Sequence, residues 1–276
     1  MLHVPALLPA LAPGHGVLAF ARREERTVLV GVRAASPLKI LTPKNHGHGA
    51  WAIVATFGGG LVDGDSIHLD VELAEGTAAL LGTQASTKVY RCPTSTCHQA
   101  LDARVGEGAL LVSVPDPVAC FATARYEQVN RVALAKTASL VLLDTFTSGR
   151  AARGERWDFH RYAARTLIDR DGTPWLRDSI VLDPEQGDLH ARMGRFDAYA
   201  TLVMVGPRVA PLVEAARVSP APARRGGIAH AASALGDDGI VVRIAGTSVE
   251  DVTRAARGVL AGLPSILGDD PFARKW

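Results

Sequence analysis

The chain has little cysteine, little aromatic side chain and no bias of charge. Three cysteines in 276 residues, Cys92, Cys97 and Cys120, are too few and odd in number for a disulfide framework. A reducing cytosol is the simplest home for them. Aromatic residues make up 5%, against 47% hydrophobic overall, so aliphatic packing must dominate the core. A net charge of +2 with 21% charged residues excludes a basic stripe for nucleic acid and argues against disorder. No segment reaches the roughly 18 uninterrupted apolar residues of a spanning helix. The apolar start lacks a basic n-region and carries Pro5, Pro9 and Pro13, which makes a poor signal peptide. The expectation is a soluble, cytoplasmic protein without membrane or nucleic-acid partners.

Strand signals fill the first two thirds. Ile67, Leu69, Val71 and Leu73 alternate with His68, Asp70 and Glu72, the period of a half-buried strand. Further strands are expected over 27–32, 50–54, 78–81, 109–114, 128–135, 140–146, 156–162, 165–169, 175–180, 198–205 and 240–245. Asp171-Gly172 is a hairpin signal. Pro207 can open a helix to about Val218, and Thr247 or Ser248 can cap another to about Leu260, with Pro264 beyond its end. Residues 220–227, with Arg224-Arg225, read as a loop. Many short strands with Gly/Pro turns predict a mainly β, multi-stranded stack, solenoid- or sandwich-like, with two α-helices near the C-terminus. One domain over 1–276 is expected, with a β-rich body over about 16–205 and a helix-containing segment over about 206–264.

Several motifs could carry chemistry. The block from Gly58 to Asp65, GGGLVDGD, is neither a Walker loop nor an EF-hand, and a strand follows it, so a structural turn is the favoured reading. Thr83 to Arg91, TQASTKVYR, packs more polarity than a strand needs. Read as one strand, it puts Gln84, Ser86, Lys88 and Tyr90 on one face. A solvated edge and a polar channel lining weigh equally. Cys92, Cys97 and His98 form an isolated C-x4-C-H, read as a loop with incidental thiols more than as a metal site. His46-Gly47-His48 could hold a divalent ion weakly. Arg150, Arg153, Arg156 and Trp157 form a dense block. Exposed ion pairs explain it at about 0–1 kcal/mol each, and a partner-binding patch explains it slightly better. No HExxH, GxSxG, triad or paired-carboxylate spacing specifies catalysis.

Together these blocks, in this order, resemble the urease accessory protein UreD family. They are GGGLVDGD, TQASTKVYR, the strand from Leu110 to Pro-x-Pro at Pro117, Leu143-Asp144 before Gly149-Arg150, Arg153-Gly154-Glu155, and Arg225-Gly226-Gly227 before Val241-Val242-Arg243. Asp63, Cys92 and Cys97 depart from the pattern. The resemblance implies a non-catalytic scaffold that binds apo-urease and recruits UreF and, through it, UreG for GTP-dependent nickel insertion. It implies no tightly bound cofactor, only transient Ni(II) passing through an internal tunnel. A tight His/Cys cage would trap such an ion, so carboxylates and hydroxyls suit passage. In the matching blocks these are Asp65 and Asp144, with Asp178 in the looser match Trp175-Leu176-Arg177-Asp178, for the metal, and Ser86, Thr87 and Lys88 for the lining. The alternative is a metal-dependent small-molecule enzyme using His46, His48, Asp63 and Asp65. A β-rich adhesion module fits poorly with few aromatics and unpaired cysteines.

Overall fold

Strands that alternate in the sequence and strands that are apolar throughout are sorted into different sheets. The computed structural model describes residues 10–218 and 226–273. Pro5, Pro9 and the Arg224-Arg225 pair lie outside the described residues. In chain order the strands are β1 (His15–Arg23), β2 (Arg26–Ala34), β3 (Leu38–Leu41), β4 (Ala50–Thr56), β5 (Ser66–Leu73), β6 (Ala78–Thr83), β7 (Thr87–Val89), β8 (Cys97–Val105), β9 (Leu110–Ser113), β10 (Val118–Cys120), β11 (Arg125–Leu134), β12 (Ser139–Thr147), β13 (Arg161–Arg170), β14 (Thr173–Leu182), β15 (Ala198–Val205), β16 (Ile228–Leu235) and β17 (Gly239–Gly246). The α-helices are α1 (Leu189–Met193), α2 (Ala210–Val218), α3 (Val249–Val259) and α4 (Leu263–Leu267).

From β4 to β13 the chain winds between two sheets. β5, β8, β11 and β13 stack in parallel in an outer sheet. β4, β6, β9 and β12 stack in parallel in a central sheet. Each circuit adds one rung to each, so the body is a stack of coils. The outer sheet runs β14-β13-β11-β8-β5-β1-β2, and the central sheet runs β16-β17-β15-β12-β9-β6-β4-β3. β10 pairs with β12 and β7 beside this path. The mainly β stack expected from the sequence is therefore present.

Two cores result. One lies between the sheets and includes Leu18, Leu69, Leu111, Leu140, Tyr126 and Ile168. The other lies between the far face of the central sheet and the helices, with Leu202, Met204 and Ile240 against Val213, Val252 and Leu263. Each such side chain contributes about 1.5–3 kcal/mol by leaving water. Helices α2 and α3 form where the sequence signals place them, and α1 and α4 were not anticipated. Ser248 Oγ accepts from Asp251 N at 3.1 Å, and Val252 and Ala256 face the sheet. Pro264 does more than follow α3: it opens α4 from the first turn.

The structure departs from expectation at several strands. β1, β3, β8, β10 and β16 were not anticipated, and Cys97 and His98 begin β8 instead of lying in a loop. TQASTKVYR is not one strand. β6 ends at Thr83, Gln84 to Ser86 bend away, and β7 leaves to pair with β10. Residues 156–160 are irregular because Trp157 takes φ 59° and Asp158 Oδ2 binds the Arg156 amide at 3.1 Å.

Candidate functional site

The GGGLVDGD and TQASTKVYR blocks pack on each other. Leu61 N donates to Lys88 O at 2.8 Å and Tyr90 N to Leu61 O at 2.9 Å. A Cβ on Gly60 would stand 2.5 Å from Lys88 O and 2.7 Å from the Tyr90 ring, so this contact requires glycine. The carboxylates of the turn hold it shut. Asp65 Oδ2 accepts from Val62 N at 2.8 Å. Asp63 accepts from Ser95 N at 2.7 Å and from Thr94, and the Thr94 hydroxyl bond leads in holding its carboxyl below the usual range. Both acids thus have local structural work.

Polar side chains gather between the sheets. On the outer sheet Asn130, Thr166 and Asp178 are cross-strand partners in one row. On the central sheet Asp144, Thr201 and Arg243 form the matching row. Arg243 Nη2 donates to Asp178 Oδ1 at 2.6 Å, joining one row to the other, with the Arg243 side chain partly exposed. Gln99 and Gln128, also paired in register, both accept from the Tyr126 hydroxyl, at 3.1 and 2.9 Å. The result is a polar seam in an otherwise aliphatic sandwich.

The seam is hollow. A cavity of about 60 Å³ is lined by Gln99, Asp116, Gln128, Asn130 and Asp144. A second, of about 120 Å³, shares Thr83, Thr87 and Gln99 with it and reaches Gln84 to Ser86. Together they have room for several waters, which need roughly 10–15 Å³ each and polar partners. Asp144 is half-buried, and what it sees is this cavity. Burial pushes its carboxyl up to about 6, and the charge of Asp178 adds to the rise, while bonds from Gln128 and the Thr145 amide oppose it. Tyr126 and Tyr162 are held well above the usual phenol range, first by burial and then by the charge of Asp144.

Of the residues singled out in the sequence, Asp144 and Asp178 are brought together in the seam, and Ser86 and Thr87 line the outer hollow. Lys88 is exposed on β7 and lines neither hollow. Asp65 sits at the turn, off the cavities. Gln99, Asp116, Gln128, Asn130 and Arg243 belong to the seam but were not among the expected site residues. A signal was available, because Gln128 and Asn130 share parity with buried Tyr126, Val132 and Leu134.

The arginine block divides. Trp157 is 2% exposed, with its ring edge-on to Phe146 at 6.2 Å and Phe159 at 6.0 Å. It is a core residue, not an exposed docking anchor, because the left-handed backbone there turns the ring inward. Arg150 pairs with Glu155 and lies 4.2 Å over the Phe121 ring. Arg156 pairs with Asp197 and donates to Gly194 O at 2.6 Å. Arg153 is exposed, beside Arg150 and Glu250, on an open groove of about 520 Å³.

The other cation candidates do not converge. His46 N donates to Asp269 Oδ2 at 2.9 Å, and His48 N to Leu267 O at 3.3 Å. They stand at one end of β4 and Asp63 and Asp65 beyond the other, roughly 20 Å of strand apart. Cys92 and Cys97 are buried with sulfurs 3.5 Å apart. Burial and the neighbouring Cys92 push the Cys97 thiol up to about 12, and burial also pushes the Cys120 thiol well above its usual range. Such thiols are poor ligands.

A family model described as the UreD urease accessory protein matches residues 12–276. The chain belongs to this family. It is 57% identical over 264 residues to the urease accessory protein UreD of Sorangium cellulosum (strain So ce56), covering 95% of this chain and 84% of that protein. It is 43% identical to the UreD of Anaeromyxobacter sp. (strain Fw109-5), covering 96% and 90%. Urease accessory protein D of Oryza sativa subsp. indica is 32% identical, covering 98% and 99%. The relatives are accessory proteins, and a part in urease maturation follows for the family. Among the described residues no helix is long and apolar enough to cross a membrane.

Proposed function

We propose that the chain is a non-catalytic maturation scaffold that binds apo-urease, recruits UreF and through it UreG, and passes Ni(II) to the urease site during GTP-dependent insertion. Family membership supports the accessory role. The single observation that supports passage is the hollow polar seam between the sheets, with two carboxylates, Asp144 and Asp116, lining its cavity and a third, Asp178, tied to Arg243. Carboxylates spaced among amides and hydroxyls attract a divalent ion and release it, whereas a His/Cys cage would not. The ion is cargo here, entering by the hollow at Ser86 and Thr87 and meeting Asp144. The Arg153 groove is the exposed remainder of the docking patch. The enzyme alternative loses support, since His46 and His48 lie far along the fold from Asp63 and Asp65.

The assembly half is tested by co-purifying the tagged chain with apo-urease and UreF expressed in the same cells. Retention of both is expected. A soluble, folded chain that captures neither would overturn the scaffold reading.

A further inference from the structure

The wet face of the outer sheet carries a second polar cluster, on the side away from the seam. His15 on β1 and His68 on β5 are partners in a parallel register. Their rings stack with centroids 4.9 Å apart and planes 26° from parallel. Asp70 lies two residues beyond His68, so it projects from the same face. Its carboxylate spans both rings, with Oδ2 2.7 Å from His15 Nε2 and Oδ1 3.4 Å from His68 Nε2. One donor atom from each of the three residues lies within 4.8 Å of the others.

The next strands close one side. Asp102 is in register with Asp70 and brings Oδ2 to 2.8 Å from His68 Nε2. Arg131, in register with Asp102, holds the same oxygen at 3.3 Å. His68 Nε2 is shielded from solvent, yet no acceptor or donor meets it in hydrogen-bonding line. It is a nitrogen facing carboxylate oxygens with its bonding direction unused. Metal–nitrogen and metal–oxygen bonds of about 2.0–2.2 Å put adjacent ligand atoms roughly 3–3.5 Å apart. The 3.4 Å spacing falls within that range and the 2.7 Å spacing is a few tenths of an ångström shorter.

We propose that His15, His68 and Asp70 form a surface site for a divalent first-row transition-metal ion of the nickel and zinc class, with the Asp102 carboxylate beside His68 Nε2. Two imidazoles and one carboxylate suit such ions and discriminate against magnesium and calcium, which prefer all-oxygen shells. The half-exposed side chains leave an open side for water. The outer sheet itself separates this site from the seam, so the site does not depend on the seam carrying nickel. The competing account is an ion-pair ladder running from His15 to Arg131 with no affinity for metal.

The test is a titration of the purified full chain with Co²⁺, followed by its visible d–d absorption, and with Ni²⁺ and Zn²⁺ by calorimetry. The parent is expected to show an imidazole-ligated equivalent that Asp144→Asn retains and His15→Ala/His68→Ala loses. Asp70→Asn, which keeps the shape of the side chain, is a second arm in case the double variant folds poorly. It is expected to weaken that equivalent by at least about tenfold. A parent that binds none of the three ions, or variants that match it in stoichiometry and spectrum, would leave the ion-pair ladder as the account.

Discussion

The two sheets have strands of similar length but obey different sequence rules. In β5 of the outer sheet burial alternates residue by residue, because one face meets the core and the other meets water. In β15 of the central sheet nearly every residue is buried, because the outer sheet covers one face and the helices cover the other. What a strand's sequence records is therefore how many of its faces are dry. The seam is the instructive exception. It lies where the two sheets face each other, with Arg243 tied to Asp178, Asn130 and Asp144 lining the hollow, and Thr201 Oγ1 buried without a hydrogen-bond partner.

The sharpest way to break this comparison is to place one charge on each sheet. Val141, fully buried against the helices, should not tolerate Asp, since an unpaired buried charge costs several kcal/mol. Val141→Asp is expected to yield insoluble or unfolded chain. Val129→Asp, on the wet face beside Arg165, should fold within about 1 kcal/mol of the parent in urea titrations. Equal damage from the two would erase the distinction. A smaller effect comes from truncation. Leu202→Ala in the second core should cost about 2–5 kcal/mol, whereas Ala133→Ser on the wet face should stay within about 0.5 kcal/mol.

The seam sharpens the comparison through pH. The folded Asp144 carboxyl sits at about 6, above its ordinary value of 3.8. Between those values the folded chain holds a proton that the unfolded chain has released, so its contribution to stability falls as pH rises from about 4 to about 6. Asp144→Asn removes that slope and should make the chain roughly 2–3 kcal/mol more stable at pH 7 than the parent. Denaturation midpoints at pH 4 and pH 7 measure this, and a variant less stable at both would contradict it. The mildest perturbation concerns the thiols. With Cys97 pushed up to about 12 and all three thiols buried, a thiol reagent should label the native chain slowly and the unfolded chain at three sites. Rapid labelling of the native chain would place the cysteines outside the core.

Legibility in the sequence follows the same divide. β5 announced itself by alternation and β15 by its apolar run. β16 did not, because Ala229 to Ala234 is alanine-rich and becomes a strand only by pairing with β17. β8 was hidden behind Cys97 and His98, whose chemistry suggested a loop. The GGGLVDGD and TQASTKVYR blocks were conspicuous, yet their mutual packing explains much of their character, and a bend at Gln84 to Ser86 is not written in a polar alternation. Asp144 and Asp178 were reached through the family resemblance. Their partners Gln128, Asn130 and Arg243 come from other strands, and only the register of the two sheets brings them together. Trp157 looked like an interface anchor because composition cannot reveal a left-handed backbone.

On the function proposed above, nickel passes Asp144 on its way to urease. The direct measurement is nickel-dependent urease activation in cells expressing the Asp144→Ala chain, alongside capture of apo-urease and UreF by the same chain. Capture is expected to be unchanged and activation to fall severalfold. Full activation with the assembly intact would contradict it.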